Sequence, residues 1–439
     1  MKTLIAIFTT IFITGTVLGQ CPLAFEEADQ SAISIFIAPI NGDTPLIDYN
    51  SSMLLTPASV MKAVTTASVL SKYSGDYRWT TDVMAVGNVC DSILNGNVII
   101  RGSGDPTIES KHFTGNRASF ISSIREGLRA RGIKKITGRV LLEEHWPDEG
   151  AVPSWELEDI PGIDGAGFYA LNYSDNVFNL EFPSLVTTPF IPGLNINTIE
   201  TNNRLRLNRN SGSYDLTISG KLGKNEKKAA LLCSMVNPIE VALYHLTDSL
   251  QAEGNEIECL NDTITITRYK SPRLRYVTRS YMIRSDNQMA EAALRLMSPK
   301  NTRRRAIEVQ KNLLSSKGAN LLNANINDGS GLSRHNTIST SQLGSILRIM
   351  ASNNDYVNSF ARVGKDGTVR NFMKGKPGRE CFVLKSGSMT GVVAYAGYRV
   401  DPESNKPTHV IAVIVNNAPY ATKARNAIAD LLSELDFNY

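Results

Sequence analysis

Ser59-Val60-Met61-Lys62 sets a hydroxyl and an amine three residues apart, and that Ser-x-x-Lys spacing occurs once in the chain. On a helix, residues three apart share a face, so the Lys62 amine can reach the Ser59 hydroxyl. A serine alcohol is a poor nucleophile until a base removes its proton, and a neutral lysine amine is such a base. Near a helix N-terminus a developing oxyanion also meets backbone N–H groups. The chemistry in view is acyl transfer through a serine ester. By itself the pair is also what any helix face carrying a serine and a lysine looks like, so its partners must decide.

Two further segments supply them. Lys385-Ser386-Gly387 joins a cation, a hydroxyl and a glycine at the end of the apolar run Cys381-Phe382-Val383-Leu384. Such a strand end suits a terminal carboxylate that the backbone must approach closely. Its plain alternative is a lysine in a turn. Ser-Asp-Asn is present in two copies, Ser174-Asp175-Asn176 and Ser285-Asp286-Asn287. The first leads into the alternating run Val177-Phe178-Asn179-Leu180-Glu181-Phe182 and reads as a turn before a strand. The second precedes a helical stretch with Ser285 as its expected cap, a better place to hold a hydroxyl and an amide against a nucleophile. Ser285 and Asn287 are therefore the expected partners of Ser59, Lys62 and Lys385. To act as a base near neutrality, Lys62 must lose affinity for its proton. Burial and a like charge both work in that direction, with Lys385 the expected source of the charge.

These residues need elements to hold them. Residues 32–37 read as a buried strand, 41–43 as a turn and 45–49 as a second strand pairing back. Thr56-Pro57 reads as a helix start, with Thr56 as N-cap and proline in the first turn, leading into an all-round apolar helix over 58–70 that should be central. From about 77 to 268 the texture changes to short strands at 92–100, 138–143, 177–182 and 205–218, separated by polar turns. Helical patterns return at 287–297, 303–315 and 340–352. Strands at 394–400 and 409–415 and a helix at 421–435 close the chain. The expected architecture is a mixed α/β (α+β) fold in which early and late segments form one antiparallel sheet with helices on its faces. Residues 20–75 and 268–439 make that domain, and 76–267 form a β-rich insertion of one or two small domains.

At 439 residues the chain is long enough for two or three domains, and 42% apolar against 20% charged residues supports packed cores. A net charge of +4, interspersed along the chain, gives no basis for neutralising a nucleic-acid backbone. Residues 3–18 are apolar or small and uncharged after Lys2, which reads as a signal peptide over 1–19 and a periplasmic or secreted location. Cys21 raises the alternative of a lipoprotein, but Gln20 stands where lipid attachment wants a small residue. The five cysteines are widely spaced, allow one or two disulfides, and leave at least one unpaired within the chain. The five histidines form no His-Glu-x-x-His motif, and neither a metal nor a cofactor is expected.

The combined motifs resemble the penicillin-recognising serine enzymes, whose set is Ser-x-x-Lys, Ser-Asp-Asn and Lys-Thr-Gly. The one departure is Ser386, which keeps the hydroxyl of the usual threonine. More narrowly the chain is similar to the D-alanyl-D-alanine carboxypeptidase/endopeptidase family, the class C low-molecular-mass penicillin-binding proteins. In that family a large insertion separates the first two motifs, and Ser59 and Ser285 lie 226 residues apart here. Further similar segments are Gly102-Ser103-Gly104-Asp105-Pro106, Asp328-Gly329-Ser330-Gly331-Leu332-Ser333-Arg334 and Gly367-Thr368-Val369-Arg370.

The resemblance implies a β-lactamase/transpeptidase-like catalytic fold and hydrolysis of peptidoglycan stem peptides ending in D-Ala-D-Ala, or of D-Ala cross-links to a diamino acid. It implies acylation by β-lactam antibiotics. Ser59 would attack, Lys62 accept the proton, Ser285 pass a proton to the leaving amine, and Asn287 hold the substrate amide and Lys62. Lys385, Ser386 and Gly387 would receive the substrate, and the backbone N–H groups of Ser59 and Ser388 would form the oxyanion hole. Asp159 and Arg334 would clamp the zwitterionic end of meso-diaminopimelate, since carboxylate pairs with ammonium and guanidinium with carboxylate. A β-lactamase or esterase of the same superfamily is one rival, although no clear Glu-x-x-Leu-Asn motif is present. An inactive cell-wall binding protein is another, although no motif is missing. A Ser-His-Asp hydrolase lacks its Gly-x-Ser-x-Gly elbow.

Overall fold

A computed structural model describes residues 21–437 apart from 114–117, 144, 145, 147, 148, 253, 255–262 and 299–301. The expected signal peptide and Cys259 lie outside the described residues. Among the described residues no helix is long and apolar enough to cross a membrane.

The central sheet is built from both ends of the chain. Its order is Ala361–Arg362, Phe382–Met389, Val392–Val400, Pro407–Asn416, Ala32–Pro39, Ile47–Tyr49, with every neighbour antiparallel. Ala32 lies opposite Asn416 and Pro39 opposite His409, so the first long strand is locked along its length to the last. In Pro407–Asn416, Val410, Ala412 and Ile414 face one core while Ile411, Val413 and Val415 face the other. Successive strand residues point to opposite faces, so a strand covered on both sides reads as an unbroken apolar run. On one side lie helices Met61–Lys72, Leu274–Arg284, Asn287–Arg295, Arg303–Ser316 and Thr340–Met350. Helix Ala421–Glu434 covers the other, burying Ala424, Ile428 and Leu432. This is the antiparallel sheet flanked by helices that the sequence predicts.

Helix Met61–Lys72 is buried from Met61 to Leu70, as its all-round apolar pattern requires. Its start differs from expectation. Thr56 does not cap it: the Thr56 N–H donates to Asn416 Oδ1 at 2.8 Å, and Ala58–Val60 form a tight 3₁₀ turn ahead of the helix. Ala58 has φ of 48°, so the chain enters the helix through a left-handed residue rather than a capped first turn. Thr56 instead ties this corner to the last strand of the sheet.

The intervening region leaves and rejoins through neighbouring strands, since Thr80–Cys90 pairs antiparallel with Thr263–Lys270 and Thr80 lies opposite Lys270. Thr80–Cys90 also pairs with Ile93–Arg101, and two three-stranded sheets follow. Two helices there were not foreseen. Phe120–Ala130 buries Phe120, Ile124 and Leu128 and is capped by Ser119, and Pro238–Leu250 has Asn237 as its cap and proline in the first turn. The stretch 205–218 is not one strand but two, Arg206–Asn208 and Asp215–Lys221, joined by a turn. Among the described cysteines, Cys21, Cys90, Cys233 and Cys381 are free.

Candidate active site

The turn of Ala58–Val60 brings Ser59 to the rim of a cleft of about 1020 Å³, and the helix that follows carries Lys62 beneath it. Lys62 is fully buried. Its Nζ lies 3.0 Å from Ser59 Oγ and donates to Asn287 Oδ1 and to the Ser330 carbonyl, each at 2.7 Å. Burial lowers the Lys62 pKa to about 8, against the opposing pull of Asp328, Asp286, Glu291 and Asp164. Desolvation is thus the chief cause of the shift.

Lys385 is also buried, on strand Phe382–Met389. Its Nζ donates to Ser285 Oγ at 3.0 Å and to the Ser386 carbonyl at 2.6 Å. Burial lowers its pKa well below the usual lysine range, and the charge on Lys62 lowers it further. Gly387 is required where this strand crosses the Ser59 turn, because a Cβ there would sit 2.5 Å from the Pro57 carbonyl oxygen. Ser386 Oγ donates to Thr368 Oγ1 at 2.7 Å, which brings the Gly367-Thr368-Val369-Arg370 segment to the cleft.

Ser285 reaches the site by a route other than the expected cap. It ends helix Leu274–Arg284 in a left-handed conformation with φ of 64°, while Asp286 caps the next helix by accepting from the Met289 N–H. The sharp turn throws the Ser285 hydroxyl toward Lys385 and leaves Asn287, in the first turn of the next helix, facing Lys62. Asn287 Nδ2 donates to the Asp164 carbonyl at 3.0 Å. The copy at 174 does structural work: Asn176 accepts from the Tyr173 N–H and donates to the Gly167 carbonyl and to Asn172 Oδ1.

Asp159, Arg334 and Ser388 line the same cleft. Arg334 Nη1 donates to the Thr390 carbonyl at 3.2 Å, and Arg334 Nε lies 3.6 Å from Glu156 Oε1, so Glu156 is an acidic neighbour of Arg334. Burial, then Asp164 and Glu156, raise the Asp159 pKa. Ser388 Oγ accepts from Arg425 Nη2 at 2.8 Å.

Several groups that shape the site carried no sequence signal. Buried Asp328 accepts from the Gly331 and Ser333 N–H groups, from Asn336 Nδ2 and from Trp155 Nε1. Buried Glu291 accepts from the N–H groups of Gly329 and Ser330 and pairs with Arg295 at 3.1 Å. Together they fix the turn that offers the Ser330 carbonyl to Lys62. Gly331, with φ of 81°, packs where a Cβ would lie 2.0 Å from the Ala58 carbonyl oxygen. The Asp-Gly-Ser-Gly segment was noticed as a resemblance, but main-chain carbonyls as lysine ligands could not be read from it.

A sequence model of the D-Ala-D-Ala carboxypeptidase 3 (S13) family matches residues 22–435. The D-alanyl-D-alanine carboxypeptidase DacB of Haemophilus influenzae is 25% identical over 416 residues, spanning 87% of this chain and 85% of its own length. A D-alanyl-D-alanine carboxypeptidase of an Actinomadura strain is 24% identical over 432 residues, with 87% of this chain and 77% of the relative covered. In structure the chain is similar to penicillin binding protein 4 of Haemophilus influenzae, with a TM-score of 0.76 at 22% identity over 93% of this chain and 97% of that one.

Proposed function

The chain belongs to the D-Ala-D-Ala carboxypeptidase 3 (S13) family, and from that premise we propose that it is a serine DD-peptidase acting on peptidoglycan stem peptides and that β-lactams acylate it at Ser59. One observation carries the reading. Asn287 Oδ1 and the Ser330 carbonyl can only accept hydrogen bonds. A neutral Lys62 has two N–H bonds, both directed to those oxygens, so its lone pair is left for the Ser59 hydroxyl at 3.0 Å. That is the geometry of a general base rather than of a structural lysine.

Ser59 Oγ bonds to the carbonyl carbon of the penultimate D-Ala while its proton passes to Lys62. As the carbon–nitrogen bond breaks, the leaving amine takes a proton from Ser285, whose hydroxyl is supported by Lys385, and Ser285 is resupplied with the proton that Lys62 took from Ser59, which leaves Lys62 neutral again. The neutral Lys62 then accepts a proton from water as the water oxygen bonds to the ester carbon, and returns it to Ser59 Oγ as the ester carbon–oxygen bond breaks. Ser386 and Thr368 offer hydroxyls to the substrate's terminal carboxylate, and the N–H groups of Ser59 and Ser388 receive the oxyanion. Arg334 and the acidic rim of Glu156, Glu158, Asp159 and Asp164 receive a zwitterionic diamino-acid side chain. The uncharged apolar stretch 3–18 supports action outside the cytoplasm, where such peptides occur.

Mass spectrometry after incubation with a labelled penicillin tests the class. A single adduct on the Ser59 peptide, absent in a folded Ser59→Ala variant that also lacks peptidase activity, is the expected result. Labelling that survives in Ser59→Ala would overturn it. An adduct that lasts many minutes separates a peptidase from a β-lactamase.

A further inference from the structure

The two oxygens that orient Lys62 are both held from the same stretch of the insertion. Asn287 keeps its oxygen toward Lys62 because its amide nitrogen is engaged by the Asp164 carbonyl. The Ser330 carbonyl belongs to the turn organised by Asp328, and Asp328 Oδ2 accepts from Trp155 Nε1 at 2.8 Å. Ser154 Oγ adds a bond to Ser333 Oγ at 2.8 Å, three residues beyond Ser330. Val152, Trp155 and Ile160 form a small apolar cluster against Leu332, so the grip excludes water as well as bonding. The same stretch presents Glu156, Glu158 and Asp159 to the cleft.

We propose that segment 152–164 is a positioning element for the general base, with Trp155 its principal positioning residue acting through Asp328. Its two hands, the Trp155 indole and the Asp164 carbonyl, fix the acceptors of Lys62 and so aim its lone pair at Ser59. A substrate that engages the acidic face of the segment therefore bears on the base itself, not only on affinity. The inference rests on the serine-peptidase reading above.

The test is the pH dependence of penicillin acylation in Trp155→Phe, which keeps the ring in the apolar cluster and removes the N–H, and in Gly165→Ala. A Cβ on Gly165 would lie 2.3 Å from the Asp159 carbonyl oxygen and so pushes on the segment next to Asp164. The charged groups acting on Lys62 are Asp328, Asp286, Glu291 and Asp164. Lys62 in turn acts on Lys385. Because burial dominates the lowered pKa of Lys62, a loosened segment that admits water moves the acidic limb of the rate profile to higher pH. Acylation at neutral pH falls tenfold to about a hundredfold, as misplacement of a catalytic group does. A lowered melting temperature with an unmoved limb in both variants would show a merely structural role and overturn the proposal. Wild-type labelling at Ser59, measured in the same series, keeps the two readings apart. Its absence defeats the peptidase reading, whereas its presence with unmoved limbs defeats only this one.

Discussion

The amines of Lys62 and Lys385 are both buried, yet each serves a different serine: Lys62 approaches Ser59 and Lys385 donates to Ser285, each at 3.0 Å. Two lysines in one dry site cannot both hold protons without cost. Burial lowers the pKa of both amines, and the charge on Lys62 lowers that of Lys385 further.

The acylation rate should follow the neutral fraction of Lys62. With a pKa of about 8, roughly a tenth of Lys62 is neutral at pH 7 and roughly nine tenths at pH 9. A lysine whose pKa is lowered by the fold gains its active form as pH rises, so the rate climbs about tenfold per unit below pH 8 and levels above it. Stopped-flow acylation with a chromogenic β-lactam reads this directly. A flat profile between pH 6 and 9 would remove Lys62 from the role of base.

Replacing the second lysine should leave that limb where it is. In Lys385→Ala, Ser285 loses the donor that holds its hydroxyl, and turnover falls about a hundredfold, the usual scale of a lost acid–base contribution. The pH of half-maximal acylation stays near 8, because burial is the chief cause of the lowered Lys62 pKa. A shift of a full unit upward would restore Lys385 as the group that tunes Lys62.

Arg334→Ala should separate peptide from antibiotic. Arg334 lines the cleft near Glu156 and bonds the Thr390 carbonyl, away from the Ser59 and Lys62 pair. Loss of a charged hydrogen-bonding partner costs about tenfold or more in kcat/KM on diaminopimelate-containing peptides, while acylation by a simple penicillin stays within about twofold. Equal losses on both substrates would make Arg334 a support of the fold.

What was legible in the sequence was what depends on short spacing or on unbroken apolar character. Ser59 and Lys62 meet because they lie three positions apart on a helical turn, and strands Val392–Val400 and Pro407–Asn416 announce themselves by burial on both faces. Ser285 lines the cleft, but its local geometry is not that of the expected cap. Two helices abut there, and the residue between them is a left-handed break rather than a cap, which a single window of helix signals cannot distinguish. Helix Phe120–Ala130 had its stripe of Phe120, Ile124 and Leu128 and its serine cap, yet the dense strand and turn signals around it prevailed. The carbonyls of Ser330 and Asp164 had no signal at all. Every residue carries a carbonyl, and only the fold decides which one meets a lysine or an amide.

The pairing of Ala32–Pro39 with Pro407–Asn416 sets the order in which this protein can come to life. Ser59 and Lys62 are made well before the strand that carries Lys385 and the strand that pairs with Ala32–Pro39. Contacts of such long separation close slowly and only after the chain between them is available. A growing polypeptide therefore carries Ser59 in an unfinished domain until the strand of Lys385 has been made. The intervening strands and helices, whose core is their own, have the opportunity to fold first and wait. Lys385 meets Ser285 only once strand Phe382–Met389 has docked in the central sheet.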